Sequence, residues 1–177
     1  MNLPNKLSIA RVCCIPVITL LLYLGGDGCR YAACALFVLG SLTDLLDGHI
    51  ARKYNLITDF GKFIDPVADK LLVLTTLVML VRCGLMEAWV LIVILCRELA
   101  VDGLRMVAVS QGKVIAAGKW GKWKTTFQMV TITVILLFNT ACFASWYTGI
   151  LTGVSVALTL WSAVDYFWKN KSVFGSK

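Results

Sequence analysis

Residues 41–70 read SLTDLLDGHIARKYNLITDFGKFIDPVADK and hold five of the chain's ten acidic residues together with its single histidine. Asp44 and Asp47 are three apart and Asp65 and Asp69 four apart. On helices, each pair shares a face with Cβ atoms about 5–6 Å apart. Two such pairs can face each other. Four carboxylates in a confined site repel unless cations hold them, and oxygen-only ligands suit Mg2+ or Mn2+ better than softer metals. Gly48 beside Asp47 and Gly61 one turn before Asp65 stand where a Cβ would obstruct a ligand or a second backbone.

The surroundings of this stretch are apolar. Of 177 residues, 59% are hydrophobic and only 15% charged, with a mean hydropathy of +0.80. That composition excludes an ordinary soluble domain and predicts an all-α, polytopic membrane protein. The first apolar run lacks a strongly basic leader and an A-x-A-like cleavage site, so a signal peptide is not expected. Seven cysteines are scattered with no C-x2-C pair and read as packing thiols. The net charge of +7 comes from cations clustered in particular loops, which suits topology and an anionic lipid surface rather than nucleic acid.

Residues 1–11, MNLPNKLSIAR, mix apolar and cationic positions and predict a short amphipathic segment at the membrane surface. A transmembrane helix that starts at the N-terminus is the alternative. Six apolar spans follow, at about 12–25, 31–50, 64–82, 86–109, 125–144 and 146–167, near the ~20 residues a crossing needs. Lys6, Arg11, Arg52, Lys53, Lys62, Lys113, Lys119, Lys122, Lys124, Lys169, Lys171 and Lys177 then fall on one side, against Arg30 and Arg82 on the other. The basic side is expected to be cytoplasmic, with both termini and the Asp site on it. Asp65-Pro66 predicts that the third helix begins near Pro66 or kinks there. Arg97 and Arg105 in the fourth span are eight residues apart, on one face and about 12 Å apart along the axis. The stretch GKWGKWKTTFQM precedes the fifth span as a loop in which Lys119, Lys122 and Lys124 flank Trp120 and Trp123, a pattern that also suits an interfacial anchor. The sixth span reads as bundle scaffold or the surface of a homodimer. No repeat or second domain is evident, so residues 1–177 are expected to form one domain.

Written as D-x2-D-G-x2-A-R-x8-G-x3-D-x3-D, the central stretch fills every fixed position with Asp44, Asp47, Gly48, Ala51, Arg52, Gly61, Asp65 and Asp69. It resembles the signature of the CDP-alcohol phosphatidyltransferases. The resemblance implies transfer of a substituted phosphoryl group from a CDP-linked donor to an alcohol, with release of CMP and a requirement for divalent metal, two ions of Mg2+ or Mn2+. It assigns Asp44, Asp47, Asp65 and Asp69 to metal and Asp69 also to general-base work. Gly48, Ala51, Arg52 and Gly61 fall to the donor, with Asn5 added from the opening block. His49 and Asp59 lie outside the pattern.

The outer blocks LPNKLSIAR, RELAVDGLR and GKWKTTFQM are similar to the branch of that family that joins CDP-diacylglycerol to glycerol 3-phosphate in the plasma (inner) membrane. Ser8, where Thr is frequent, and Asp102, where a small residue is frequent, depart mildly from that branch. Arg97, Arg105, Lys122 and Lys124 are the expected ligands of the acceptor's phosphate. Serine, an inositol phosphate and phosphatidylglycerol remain alternative acceptors. A divalent-cation transporter could use the same four Asp, but transporters usually place such ligands near the bilayer midplane at a repeat interface.

Overall fold

The structure is a computed structural model that describes residues 3–53, 59–112, 115 and 118–171, with side chains described for 7–43, 64–112, 115, 118 and 120–171. Six helices follow in order: α1 Leu3–Leu24, α2 Asp27–Lys53, α3 Asp59–Arg82, α4 Ala88–Ser110, α5 Lys119–Phe138 and α6 Trp146–Lys169. No strand occurs among the described residues.

Residues 3–24 form one continuous helix, the alternative to a separate N-terminal segment. Ser8 and Arg11 are buried on it in register with Ile18 and Leu22, so these two polar residues continue its packing face. The third helix also begins earlier than expected, at Asp59, and runs through Pro66. Likewise, the Lys and Trp stretch before the fifth span is helical from Lys119.

The helices gather into two compact units. The first holds residues 1–85 and 132–140, with α1 packed on both α2 and α3. Its core is apolar: Phe37, Ala68, Leu72, Leu77, Leu80, Ile132 and Ile135 are all fully buried. Gly40 lets α2 approach α3, since a Cβ there would lie 3.0 Å from Leu72 Cδ2 and 3.7 Å from Arg11 Cγ. At the α1–α2 turn, Gly25 and Gly26 have φ of +75° and +84°, a region costly for residues with a Cβ. Arg30 fixes the end of α5 to this unit by donating from Nη1 to the carbonyls of Leu136 at 3.0 Å and Leu137 at 3.3 Å. These are terminal carbonyls with no partner inside their own helix, and a cation is favoured there.

The second unit holds residues 86–131 and 141–177, and in it α4 packs on α6. Its inner face is unusual. The buried residues of α6 are Thr148, Thr152, Ser155, Thr159, Ser162 and Tyr166, a helical stripe of hydroxyls. Trp146, Ile150, Leu160, Trp161, Val164 and Trp168 face outward, the reverse of the pattern on a water-soluble helix.

Among the described residues, two of the six expected spans have windows long and apolar enough to cross a membrane, Leu7–Leu24 and Trp146–Lys169. The charges on the others have a plain origin. Asp65, Asp69 and Lys70 lie in α3, Arg97, Glu98, Asp102 and Arg105 in α4, and Lys122 and Lys124 at the start of α5. These charges lower the hydropathy of α3, α4 and α5. All seven cysteines are free thiols.

Candidate active site

In the first unit, α3 carries Asp65 and Asp69 one turn apart, both half-buried. The Ser8 hydroxyl of α1 donates to Asp65 Oδ1. Asp69 has one carboxylate oxygen, Oδ1, closed off from solvent. The backbone of α2 stays helical to Lys53, so Asp44 and Asp47 are in i,i+3 register on it. The side chains of Asp44, Asp47, Gly48, Ala51, Arg52 and Gly61, and of Asn5, lie outside the described residues.

No group of three or more potential metal ligands occurs among the described residues. What is described fits a hard cation. The two carboxylates offer oxygen donors at helical register, with a hydroxyl rather than a thiol or imidazole beside them.

Two residues of α1 are buried where sequence reasoning did not expect it. Ser8 was expected at the membrane surface, and Arg11 figured only as a cytoplasmic cation, yet Arg11 is just 2% exposed. The readable signal was the helical spacing of Ser8, Arg11, Ile18 and Leu22, which continues through the polar start of the chain.

In the second unit, cations are gathered by an acid. Arg97 donates from Nη1 to Glu98 Oε1 at 3.0 Å, and Lys124 Nζ reaches the same oxygen at 2.5 Å. Arg97 Nε also donates to Ser162 Oγ at 3.2 Å. A Cβ on Gly121 would meet Arg97 Nη2 at 3.6 Å, so this glycine gives the guanidinium its room beside α5. Lys124 is only 4% exposed. Two cations thus share one carboxylate in a setting largely closed off from water, where charge is screened less than at the surface.

Arg105 is held separately, donating from Nε to Tyr166 Oη at 3.0 Å, with its guanidinium carbon 5.5 Å from that ring's centre. Lys122 differs from Lys124. Two residues apart on a helix, they point in nearly opposite directions, and Lys122 is exposed like Trp120 and Trp123. The anchor pattern and the site pattern thus interleave on one helix. Glu98, Ser162 and Tyr166 had no place in the expected acceptor set. They are far apart in sequence, and only the packing of α4, α5 and α6 brings them to Arg97, Lys124 and Arg105.

The chain is similar to known proteins over nearly all of its length. The family model described as CDP-alcohol phosphatidyltransferase matches residues 1–161. The chain is 40% identical over 183 residues to the CDP-diacylglycerol–glycerol-3-phosphate 3-phosphatidyltransferase of Bacillus subtilis, covering 96% of this chain and 95% of that one. It is 38% identical over 176 residues to the protein of the same name in Rickettsia typhi, covering 98% and 99%. A CMP-forming cardiolipin synthase of Oryza sativa is also similar, 36% identical over 188 residues, with 96% of this chain matched to 57% of that one.

Proposed function

Because the chain belongs to the CDP-alcohol phosphatidyltransferase family, we propose that it transfers the phosphatidyl group of CDP-diacylglycerol to glycerol 3-phosphate, giving phosphatidylglycerophosphate and CMP. The observation that carries the choice of acceptor is the buried cluster of Arg97 and Lys124 on Glu98. A neutral acceptor such as serine has no use for a positive charge that is costly to keep in an apolar bundle. A phosphate dianion does.

In the reaction, a hydroxyl oxygen of glycerol 3-phosphate bonds to the phosphorus that carries diacylglycerol, and the bond from that phosphorus to the CMP oxygen breaks. Asp69 accepts the hydroxyl proton. Asp44, Asp47, Asp65 and Asp69 would hold divalent ions, Mg2+ or Mn2+, which would offset the charge of the pyrophosphate and of departing CMP. Ser8 fixes the orientation of Asp65 by its hydrogen bond. Asn5, Gly48, Ala51, Arg52 and Gly61 take the cytidine and pyrophosphate of the donor. Arg97, Arg105 and Lys124 receive the acceptor's phosphate, with Lys122 adding charge from outside.

The membrane arrangement is part of the same reading. All six helices cross, the Lys- and Arg-rich side faces the cytoplasm, and both termini lie there. Support comes from the charge asymmetry and from apolar side chains facing outward on α1, α4 and α6. The plasma membrane supplies CDP-diacylglycerol and the cytosol supplies the soluble acceptor.

The test is an acceptor panel. Purified protein receives CDP-diacylglycerol with glycerol 3-phosphate, serine, inositol phosphate or phosphatidylglycerol, with CMP release measured and the lipid product identified by mass. Phosphatidylglycerophosphate as the main product is expected. A cardiolipin product would move the assignment to the cardiolipin synthases, and absence of CMP release with every acceptor would overturn the reaction class.

A further inference from the structure

Gln128 of α5 is 2% exposed, and neither its side-chain oxygen nor its nitrogen has a hydrogen-bond partner among the described residues. A buried primary amide with both ends unsatisfied is expensive, and native interiors rarely leave one so. Its position says where the missing partner belongs. One turn earlier, Lys124 reaches Glu98 of α4. Three residues later, Thr131 donates to Phe127 O at 2.8 Å and to Leu151 O of α6 at 3.3 Å. Gln128 therefore lies on the inner face of α5, between its contact with α4 and its contact with α6. It is also within one helical turn of the cation cluster.

We infer that Gln128 is a specificity-determining residue that reads the non-reacting hydroxyl of the phosphorylated acceptor. The inference rests on the proposed acceptor reading. Glycerol 3-phosphate carries a phosphate, a primary hydroxyl that reacts and a secondary hydroxyl between them. Arg97 and Lys124 meet the phosphate, and the secondary hydroxyl is the group left to recognise. It is both donor and acceptor, and a primary amide offers the complementary pair. A site built to bond a hydroxyl rejects the analogue that lacks it, because its own polar group then stays buried and unpaired.

The test compares glycerol 3-phosphate with 3-hydroxypropyl phosphate, which keeps the phosphate and the reacting hydroxyl and lacks only the secondary one. Wild-type enzyme should prefer glycerol 3-phosphate at least tenfold in kcat/KM. In Gln128→Met, close in size and apolar, that preference should fall to within about threefold of unity. The loss should come from glycerol 3-phosphate, with turnover of the analogue kept. Both acceptors are measured on one preparation, so partial loss of folded protein cancels in the ratio. Gln128→Asn, which retains the amide one methylene shorter, should give an intermediate preference and serves if the Met variant does not fold.

Equal use of both acceptors by the wild type would overturn the inference without any variant. So would a preference unchanged in Gln128→Met, which would make Gln128 a structural residue that binds water. If glycerol 3-phosphate is not a substrate of the wild type at all, the proposed function itself has failed, and that outcome is separate from the other two.

Discussion

The two units solve opposite electrostatic problems by different means. In the first, the acids come from two consecutive helices at fixed short spacings, Asp44 and Asp47 on α2 and Asp65 and Asp69 on α3. In the second, the cations come from α4 and α5, held by Glu98 and by hydroxyls of Ser162 and Tyr166 on α6. Local register sets up each acidic pair on its own helix, so the pairing within α2 and within α3 does not depend on how the rest of the chain packs. The basic arrangement exists only if three helices assemble. A division of labour follows: changes in the acidic unit should act on metal and on the chemical step, and changes in the basic unit on affinity for the acceptor.

The largest effect should come from Asp47→Asn. An amide is a weak ligand for Mg2+ and leaves the ion's charge uncompensated, so activity should fall by several orders of magnitude in protein that still folds. Chelation of divalent ions should abolish wild-type activity, and Mg2+ or Mn2+ should restore it. Full turnover after exhaustive removal of divalent ions would remove the basis for assigning metal to the acidic unit.

Asp69→Asn separates the two jobs of that unit. Removing a general base typically costs about 10²- to 10⁴-fold, and three carboxylates remain to hold metal. The loss should appear in kcat with donor affinity changed only a few-fold. Collapse of CDP-diacylglycerol binding with unchanged single-turnover chemistry would leave Asp69 as a ligand alone.

Crossing to the basic unit, Lys124→Ala should raise the KM for glycerol 3-phosphate while the donor KM stays within a few-fold. Charge-assisted hydrogen bonds are worth about 1.5–3 kcal/mol, or roughly one to two decades in affinity. Since Lys124 also bonds Glu98, some loss of folded protein is expected, and KM is the quantity to read because it does not depend on the amount of active enzyme. An unchanged KM in whatever folds would make the cluster a structural ion pair and reopen the identity of the acceptor.

The same contrast explains what was legible in the sequence. Six helices and the acidic register could be read directly, since spacings of three and four residues within one helix do not depend on tertiary packing. The start of α1 was misread because hydropathy marks where apolar residues begin, whereas the helix is set by a packing face that admits Ser8 and Arg11. Pro66, which lacks a backbone donor, was read as a start or a kink, and it stands as the eighth residue of α3, within the helix and not at its start. The cations could be listed from the sequence, but the partners that hold them, Glu98, Ser162 and Tyr166, could not. No spacing rule links residues 98 and 162.

The smallest effect tests the finest point of the contrast, the difference between two lysines two residues apart. Lys124 points inward and is bonded to Glu98, whereas Lys122 is exposed on the opposite side of α5. An exposed charge acts through solvent, where the Debye length is about 10 Å at 0.1 M salt and about 3 Å at 1 M. Lys122→Ala should therefore raise the glycerol 3-phosphate KM only about two- to threefold at low salt, and that difference should vanish as salt is added. The Lys124→Ala defect should persist at high salt, because a buried pair is poorly screened. Measuring both KM values across ionic strength decides it. A salt-resistant, tenfold defect in Lys122→Ala would place that residue in direct contact with the acceptor, and the helical phase of α5 would no longer separate anchor from site.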